Sequence, residues 1–173
     1  MRTYILRLII LFGMTAMVQG ADEPSVVFDS STGNMVLNVP TFEATWNHSS
    51  KEILQRRSDL NPTCSLDYGL ARVEETIANI EYLSDVYNIT CNVPAASCAR
   101  VAHEGVSSIF FCSFEDHPVS TKCGDLVNPA TQVFQTCQLG DQYAYGYISQ
   151  MIHQERESYP YILVIGDDFM FDH

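Results

Sequence analysis

The chain has 173 residues, of which 21 are acidic and nine are lysine or arginine, so its formal net charge is −12 at pH 7. A surface this acidic repels phosphate backbones, which argues against a nucleic-acid partner, and it also disfavours anionic membrane surfaces. After the N-terminus, no apolar run reaches the roughly 20 residues needed to span a bilayer, so we expect no membrane span in the mature form.

The first 20 residues predict a secretory signal peptide. A basic start at Arg2 precedes an apolar run over residues 5–17, and the segment ends at Gly20 before the chain turns polar. This layout is typical of a signal peptide cleaved after a small residue. We therefore expect cleavage after Gly20 and a secreted, extracellular protein.

Residues 21–57 are predicted to be a pro-segment or N-terminal extension. They contain no cysteine, and they end at the dibasic pair Arg56-Arg57 followed by Ser58, a pattern that secretory-pathway proteases cut. Alternatively, the two arginines are ordinary surface cations. In that case residues 26–28 and 35–39 form a hairpin packed on the domain. The remaining residues, 58–173, are expected to form one disulfide-stabilised α+β domain.

Periodicity predicts an amphipathic helix and a hairpin in the first half of that domain. Over residues 66–86, apolar residues recur at spacings of three and four, with acids on the other face. Residues 98–103 and 106–112 are rich in β-branched and aromatic residues on either side of Glu104-Gly105, which predicts a β-hairpin.

A second helix and two more strands are predicted in the second half. Between Cys123 and Cys137, Leu126, Ala130 and Val133 can share a stripe. Either Asn128 caps a short helix with Pro129 in its first turn, or Pro129 kinks a longer helix. Strands are predicted at 143–148 and 161–165. The expected fold is α+β, with two helices packed on a mostly antiparallel four-stranded sheet in a disulfide-stapled α/β sandwich.

Six cysteines follow the signal peptide, and their even number in an exported chain predicts three disulfides. Spacing does not fit a zinc module, and sequence leaves all 15 pairings open. They are Cys64, Cys91, Cys98, Cys112, Cys123 and Cys137.

Two sequons predict N-glycosylation at Asn47 and Asn88.

No catalytic residue, metal ligand set or cofactor is predicted. The chain lacks a Gly-x-Ser-x-Gly elbow, and His103-Glu104 lacks the second histidine of a zinc-protease helix. Asp167-Asp168 closes the last apolar strand and offers a weak alternative as an acidic site. The histidines His103, His117 and His153 would give a pH response if they clustered in space.

Tyrosines crowd the C-terminal strands, and Tyr143, Tyr145 and Tyr147 alternate along one of them. Tyrosines on one face of a strand can form a binding surface, and they equally well pack as cross-strand pairs.

The cysteine stretch resembles a broad group of fungal small secreted cysteine-rich proteins, which are candidate effectors. Segments that carry the resemblance are Ile80-Glu81-Tyr82-Leu83, Cys98-Ala99-Arg100-Val101, Ile109-Phe110-Phe111-Cys112-Ser113, and the cysteines Cys123 and Cys137. The chain departs from the pattern at His103-Glu104, where a cysteine is usual, and at Ser113-Phe114, where Asn-Asp is usual.

This resemblance implies a secreted effector, and some members have α/β-sandwich folds similar to the killer toxins of smut fungi, which are released by dibasic processing. We expect a non-enzymatic protein that binds an extracellular protein or cell-surface component of a host or competitor. A secreted hydrolase that uses acids at a strand end, such as Asp167 or Asp168, is the alternative.

Overall fold

The computed structural model of the protein describes residues 24–43, 61–154 and 157–167. These residues form an α+β structure in which two α-helices pack against mostly antiparallel strands. The helices are α1, Val73–Asp85, and α2, Val127–Thr136. Short 3-10 segments lie at Leu66–Tyr68 and Cys123–Leu126. The strands are β1 Ser25–Asp29, β2 Asn34–Asn38, β3 Thr41–Glu43, β4 Ala71–Arg72, β5 Thr90–Val93, β6 Ser97–Glu104, β7 Ser107–Ser113, β8 Val119–Lys122, β9 Gln138–Leu139, β10 Tyr143–Ala144, β11 Gly146–Gln154 and β12 Glu157–Asp167.

The described strands form three sheets, so the prediction of a single four-stranded sheet is wrong in this detail. The five-stranded sheet has the order β11-β12-β7-β6-β3, the four-stranded sheet β1-β2-β5-β8, and the three-stranded sheet β4-β10-β9. Apart from β1 and β2, which the alternative for residues 21–57 anticipates, periodicity does not reveal the additional strands, because these have only two to four residues. Such runs are too short to establish an alternating pattern.

The predicted hairpin around Gly105 is confirmed. Strands β6 and β7 pair in antiparallel register from Cys98↔Cys112 to Glu104↔Ser107, with a bulge between Arg100 and Ala102. Gly105 lies at φ +60°, a left-handed conformation that glycine adopts without a Cβ clash. Strand β7 is buried along its whole length because β6 and β12 flank it and both faces of the sheet are covered.

Helix α1 is shorter than predicted, since it begins at Val73 rather than near residue 66. Leu66 lies in the preceding 3-10 segment and is 61% exposed, so it does not extend the apolar stripe. Gly69 follows that segment at φ +76°, which breaks the helical backbone. The stripe that does pack inward ends at the fully buried Leu83.

The start of helix α2 shows which of the two alternatives for Pro129 is correct. The helix begins at Val127, so Pro129 lies in its first turn, where a missing N–H costs nothing. Leu126, and not Asn128, occupies the position that caps the helix.

An N-terminal hairpin, β1–β2, is joined to the domain through backbone pairing. Strand β2 runs parallel to β5 with Leu37 opposite Cys91, and β3 adds antiparallel to β6. Leu37 is only 2% exposed and belongs to the main core. These are the strands that the second interpretation of residues 21–57 required; cleavage at Arg57 stays a prediction, because Arg56, Arg57 and Gly20 lie outside the described residues.

The main core lies between the two helices and one face of the five-stranded sheet, with contributions from the four-stranded sheet. Its largest side chains with essentially no exposure include Leu83, Val133, Phe111, Leu163 and Ile165. The opposite face of the sheet carries a smaller buried cluster built on Cys98, Phe110, Cys112, Ile162 and Val164. Burial on both faces explains why residues 161–165 form a continuously apolar run.

Three disulfides pair all six cysteines, as predicted. The pairs are Cys64–Cys137, Cys91–Cys123 and Cys98–Cys112, with sequence separations of 73, 32 and 14 residues. Each larger loop encloses the next smaller one, so the three bridges are nested.

Candidate functional site

A cleft of about 500 Å³ lies between helix α2 and the edge strand β11. This volume falls within the range of small-ligand sites, roughly 300–1,000 Å³. Five separate segments supply its walls: β8, the second 3-10 segment, α2, β11 and β12. The lining residues are Thr121, Asp125, Asn128, Pro129, Gln132, Gln150, Met151, Ile152, His153 and Tyr161.

Secondary structure explains how these side chains reach the cleft. Asn128 and Gln132 are four residues apart, which places them on the same face of helix α2. On β11, Gln150 lies between the buried residues Ile148 and Ile152, so it is a polar residue on the apolar, helix-facing side of the strand. Amide side chains from a helix and a strand therefore face a common space.

Asp125 is the charged residue of the cleft, and no lysine or arginine belongs to the described lining. Its carboxylate oxygen Oδ2 accepts a hydrogen bond of 2.8 Å from the Thr121 hydroxyl. This bond fixes one oxygen and leaves Oδ1 without a partner in the described part of the chain. Because the cleft has one carboxylate, it favours neutral or cationic ligands over anionic ones.

Tyr161 forms part of the floor of the cleft. It is 5% exposed, and its ring packs edge-on against Phe111 with centroids 5.3 Å apart. Burial raises the pKa of its phenol well above the usual value, and the negative charge of Asp125 raises it further. The phenol therefore stays protonated and can donate a hydrogen bond.

His153 stands at the rim of the cleft. Its ring nitrogen Nδ1 lies 2.7 Å from the Ser158 hydroxyl across the β11–β12 hairpin. No described hydrogen bond joins His153 to Asp125. A glycosidase uses two carboxylates separated by roughly 5–9.5 Å, whereas the described lining of this cleft supplies one.

Disulfides fix both ends of the helix that forms one wall. Cys123 begins the 3-10 segment before α2 and is bonded to Cys91 on β5. Cys137 occupies the C-cap position of α2 and is bonded to Cys64. The helix is therefore anchored covalently at each end.

The predicted tyrosine surface is divided in the structure. Tyr143 lies on β10, which ends at Ala144, while Tyr147 lies on β11, which begins at Gly146 with φ +111°. Tyr147 packs edge-on against Tyr68 at 5.8 Å, and Tyr145 lies between the two strands. These three tyrosines thus do not alternate along one continuous strand, and none of them lines the cleft at α2.

The three histidines of interest occupy different elements. His103 lies near the end of β6, His153 lies on β11, and His117 lies in the loop after β7, where its ring contacts Tyr159 at 4.8 Å. No described contact joins them to one another. The ligand atoms of Glu115, Asp116 and His117 lie within 4.8 Å of one another, but three consecutive residues of one loop are not by themselves a metal site.

Asp167, the acid predicted to end the last strand, is engaged in packing. Its carboxylate oxygen Oδ2 accepts a hydrogen bond from the Leu70 N–H at 3.4 Å, and the side chain lies against Gly69. Asp168 lies outside the described residues. Asn88 is exposed between α1 and β5, while Asn47 is outside the described residues, so glycosylation at both stays a prediction.

Sequence reasoning missed the cleft at α2. One local signal was present: Gln150 interrupts the apolar alternation of Ile148 and Ile152.

Comparison with protein-family models, curated proteins and solved structures finds no match to this chain. The described residues include no helix that is both long enough and apolar enough to cross a membrane. The fold and its site define a disulfide-stabilised α+β domain with a polar cleft.

Proposed function

We propose that this chain is a secreted, non-enzymatic effector or toxin-like protein that binds an extracellular protein or cell-surface component of a host or competitor. The supporting observation is the cleft beside α2, whose wall is held by Cys91–Cys123 at one end and Cys64–Cys137 at the other. A site fixed before its ligand arrives loses less conformational entropy on binding. Disulfides of this kind persist in the oxidising extracellular environment.

The lining of the cleft supports binding as the activity. Asn128, Gln132 and Gln150 each offer an amide that donates and accepts hydrogen bonds. Met151 and Ile152 provide apolar surface beside them. Protein ligand sites commonly combine apolar area with a few well-placed polar groups.

Cell binding tests this proposal. The secreted, oxidised protein is labelled with a fluorophore and added to plant protoplasts, yeast cells and fungal hyphae. We expect saturable binding to one of these surfaces that the double variant Gln132→Ala/Gln150→Ala weakens by about tenfold. The matched control is Glu74→Ala/Glu81→Ala, which changes two exposed residues on α1. Lack of saturable binding to every surface, or equal binding by the cleft variant, would overturn the proposal.

A further inference from the structure

The cleft beside α2 borders an edge of the five-stranded sheet, as its described strands are ordered. Strand β11 is the last strand of the five-stranded sheet and pairs with β12 alone among its described strands. An edge strand presents a row of unpaired backbone N–H and C=O groups, which is a template for another strand.

The backbone register shows which groups face outward. Tyr147 exchanges two hydrogen bonds with Thr63, N to O at 2.9 Å and O to N at 2.7 Å, on the side of β11 away from β12. Because outward and inward groups alternate along an antiparallel strand, the N–H and C=O groups of Ser149, Met151 and His153 also point away from β12. No described strand covers them beyond Thr63.

The position of Pro160 is consistent with this register. It lies directly opposite Met151, at a position where no hydrogen bond is made between β11 and β12. Proline has no N–H to donate, so no hydrogen bond between β11 and β12 is lost at this position. Strand β7 ends at Ser113 opposite Tyr161, so the β11–β12 ribbon continues past β7 at this point.

Helix α2 runs beside this edge, and the two together form a groove. Asn128, Pro129 and Gln132 line one side, and Gln150 through His153 line the other. A groove between an edge strand and a helix can receive an extended peptide, whose backbone extends the sheet while alternate side chains enter the groove. The edge from Ser149 to His153, which no described strand covers, is about 13 Å long, enough for a segment of about five residues.

The charge of the groove lining determines which peptides it favours. Asp125 is the charged residue of the described lining, and one of its oxygens has no described partner. The whole chain carries 21 acids against nine lysines and arginines. A lysine or arginine side chain entering the groove is therefore favoured over an acidic one.

From these observations we propose that the groove between β11 and α2 binds an extended, basic peptide segment of the target by strand addition. This inference rests on the proposed binding function and names the ligand class of the same site. The peptide backbone pairs with Ser149, Met151 and His153, and a basic side chain reaches Asp125. An oligosaccharide would use the amides of the cleft but would not require the backbone edge.

Selection from a phage-displayed random dodecapeptide library tests the inference. The oxidised protein and its Met151→Pro variant are immobilised separately. Proline at 151 removes an outward N–H without breaking a bond to β12, and Met151→Thr, which keeps the N–H, is the matched control. We expect the selected peptides to be rich in lysine or arginine, and Met151→Thr measures how much of their affinity depends on the Met151 side chain. Met151→Pro should bind them at least about tenfold more weakly than Met151→Thr does, since it loses a backbone hydrogen bond and meets a steric block.

Two further arms complete the test. Asp125→Asn should weaken the selected peptides, and N-methylation of alternate peptide amides should abolish their binding. Failure of the library to enrich, equal binding by Met151→Pro, or binding of a neutral glycan array that Met151→Pro does not affect would overturn the inference. Saturable binding to cells combined with any of these results would leave the proposed function standing while removing strand addition. Circular dichroism of each variant confirms that loss of binding is not loss of fold.

Discussion

The Glu75 carboxylate accepts a hydrogen bond of 2.7 Å from the hydroxyl of Ser107, which joins the first turn of α1 to the start of β7. The same oxygen accepts the Val106 N–H at 3.1 Å. Ser107 is fully buried, and its hydroxyl also accepts the Arg72 N–H at 2.8 Å, while its carbonyl accepts the Asn79 amide at 2.9 Å.

Removal of the Glu75 side chain should therefore destabilise the fold. We expect Glu75→Ala to lower the free energy of unfolding by about 1–3 kcal/mol, because the buried Ser107 hydroxyl loses its charged acceptor. Glu74→Ala is the matched control, since Glu74 is exposed in the same helical turn and shares any interaction with the helix dipole. Urea denaturation under oxidising conditions measures the free energy of unfolding of both variants. Equal losses in the two variants would contradict the role given to Glu75.

Disulfide removal should cost more for the outer loop than for the inner one. In the chain-entropy account, a loop of 73 residues stabilises by about 4.4 kcal/mol and a loop of 14 by about 3 kcal/mol. We expect Cys64→Ala/Cys137→Ala to be less stable than Cys98→Ala/Cys112→Ala by about 1.4 kcal/mol. Both are compared by urea denaturation. A larger loss for the inner pair would show that packing of the buried Cys98 and Cys112 outweighs loop entropy.

Alkaline pH should destabilise the protein through its buried tyrosines. Burial raises the pKa of Tyr161 and of Tyr68 above the unfolded value of 10.0. The unfolded chain therefore loses these protons first, so stability is complete below about pH 10 and falls as pH rises above it. We expect Tyr161→Phe to reduce this fall, while Tyr87→Phe, at a residue 59% exposed, should not.

Urea midpoints measured between about pH 8 and 11 check this sign. Absorbance of tyrosinate at 295 nm provides an independent check, because burial should move the ionisation of Tyr161 and Tyr68 to higher pH. A midpoint that does not depend on pH across this range would refute the argument.

Cleavage after Arg57 should leave the N-terminal segment bound without a covalent link. Residues 21–57 contain no cysteine, but β2 pairs with β5, the Arg100 N–H donates to the Pro40 carbonyl at 3.0 Å, and Leu37 is buried in the core. We expect the cut protein to elute as one species in native size-exclusion chromatography and as two species in urea without reductant.

Leu37→Ala should release the segment from the cut protein, because it removes a buried side chain worth about 2–5 kcal/mol. Val27→Ala on the exposed outer strand of the hairpin is the control. Spontaneous separation of the wild-type segment after cutting would show that strand pairing does not hold it.

The sequence predicts local elements of this fold better than their assembly. The hairpin around Gly105 is encoded by adjacent residues, so periodicity and a turn glycine suffice. The apolar spacing predicts a start for helix α1 that is too early, because Leu66 and Leu70 continue the spacing although Gly69 breaks the helical backbone between them. The even number of cysteines predicts three disulfide bridges, whereas the pairing of the cysteines depends on the folded chain.

The cleft is harder to predict from the sequence than the fold is, because its residues come from distant parts of the chain. Thr121 and His153 line it together although they lie on β8 and β11, which belong to different sheets. The sheet order that leaves β11 at an edge is a property of long-range pairing. Individual residues such as Gln150 mark an irregular position, but they do not show which helix lies opposite.

The nesting of the three bridges determines what a single proteolytic cut can release. Any single backbone cut between Cys64 and Cys137 leaves both new ends attached to the same molecule, since the outermost bridge still connects the flanking pieces. A protease would thus have to cut at least twice within this span to release a fragment. Loops inside it can be nicked without the molecule coming apart.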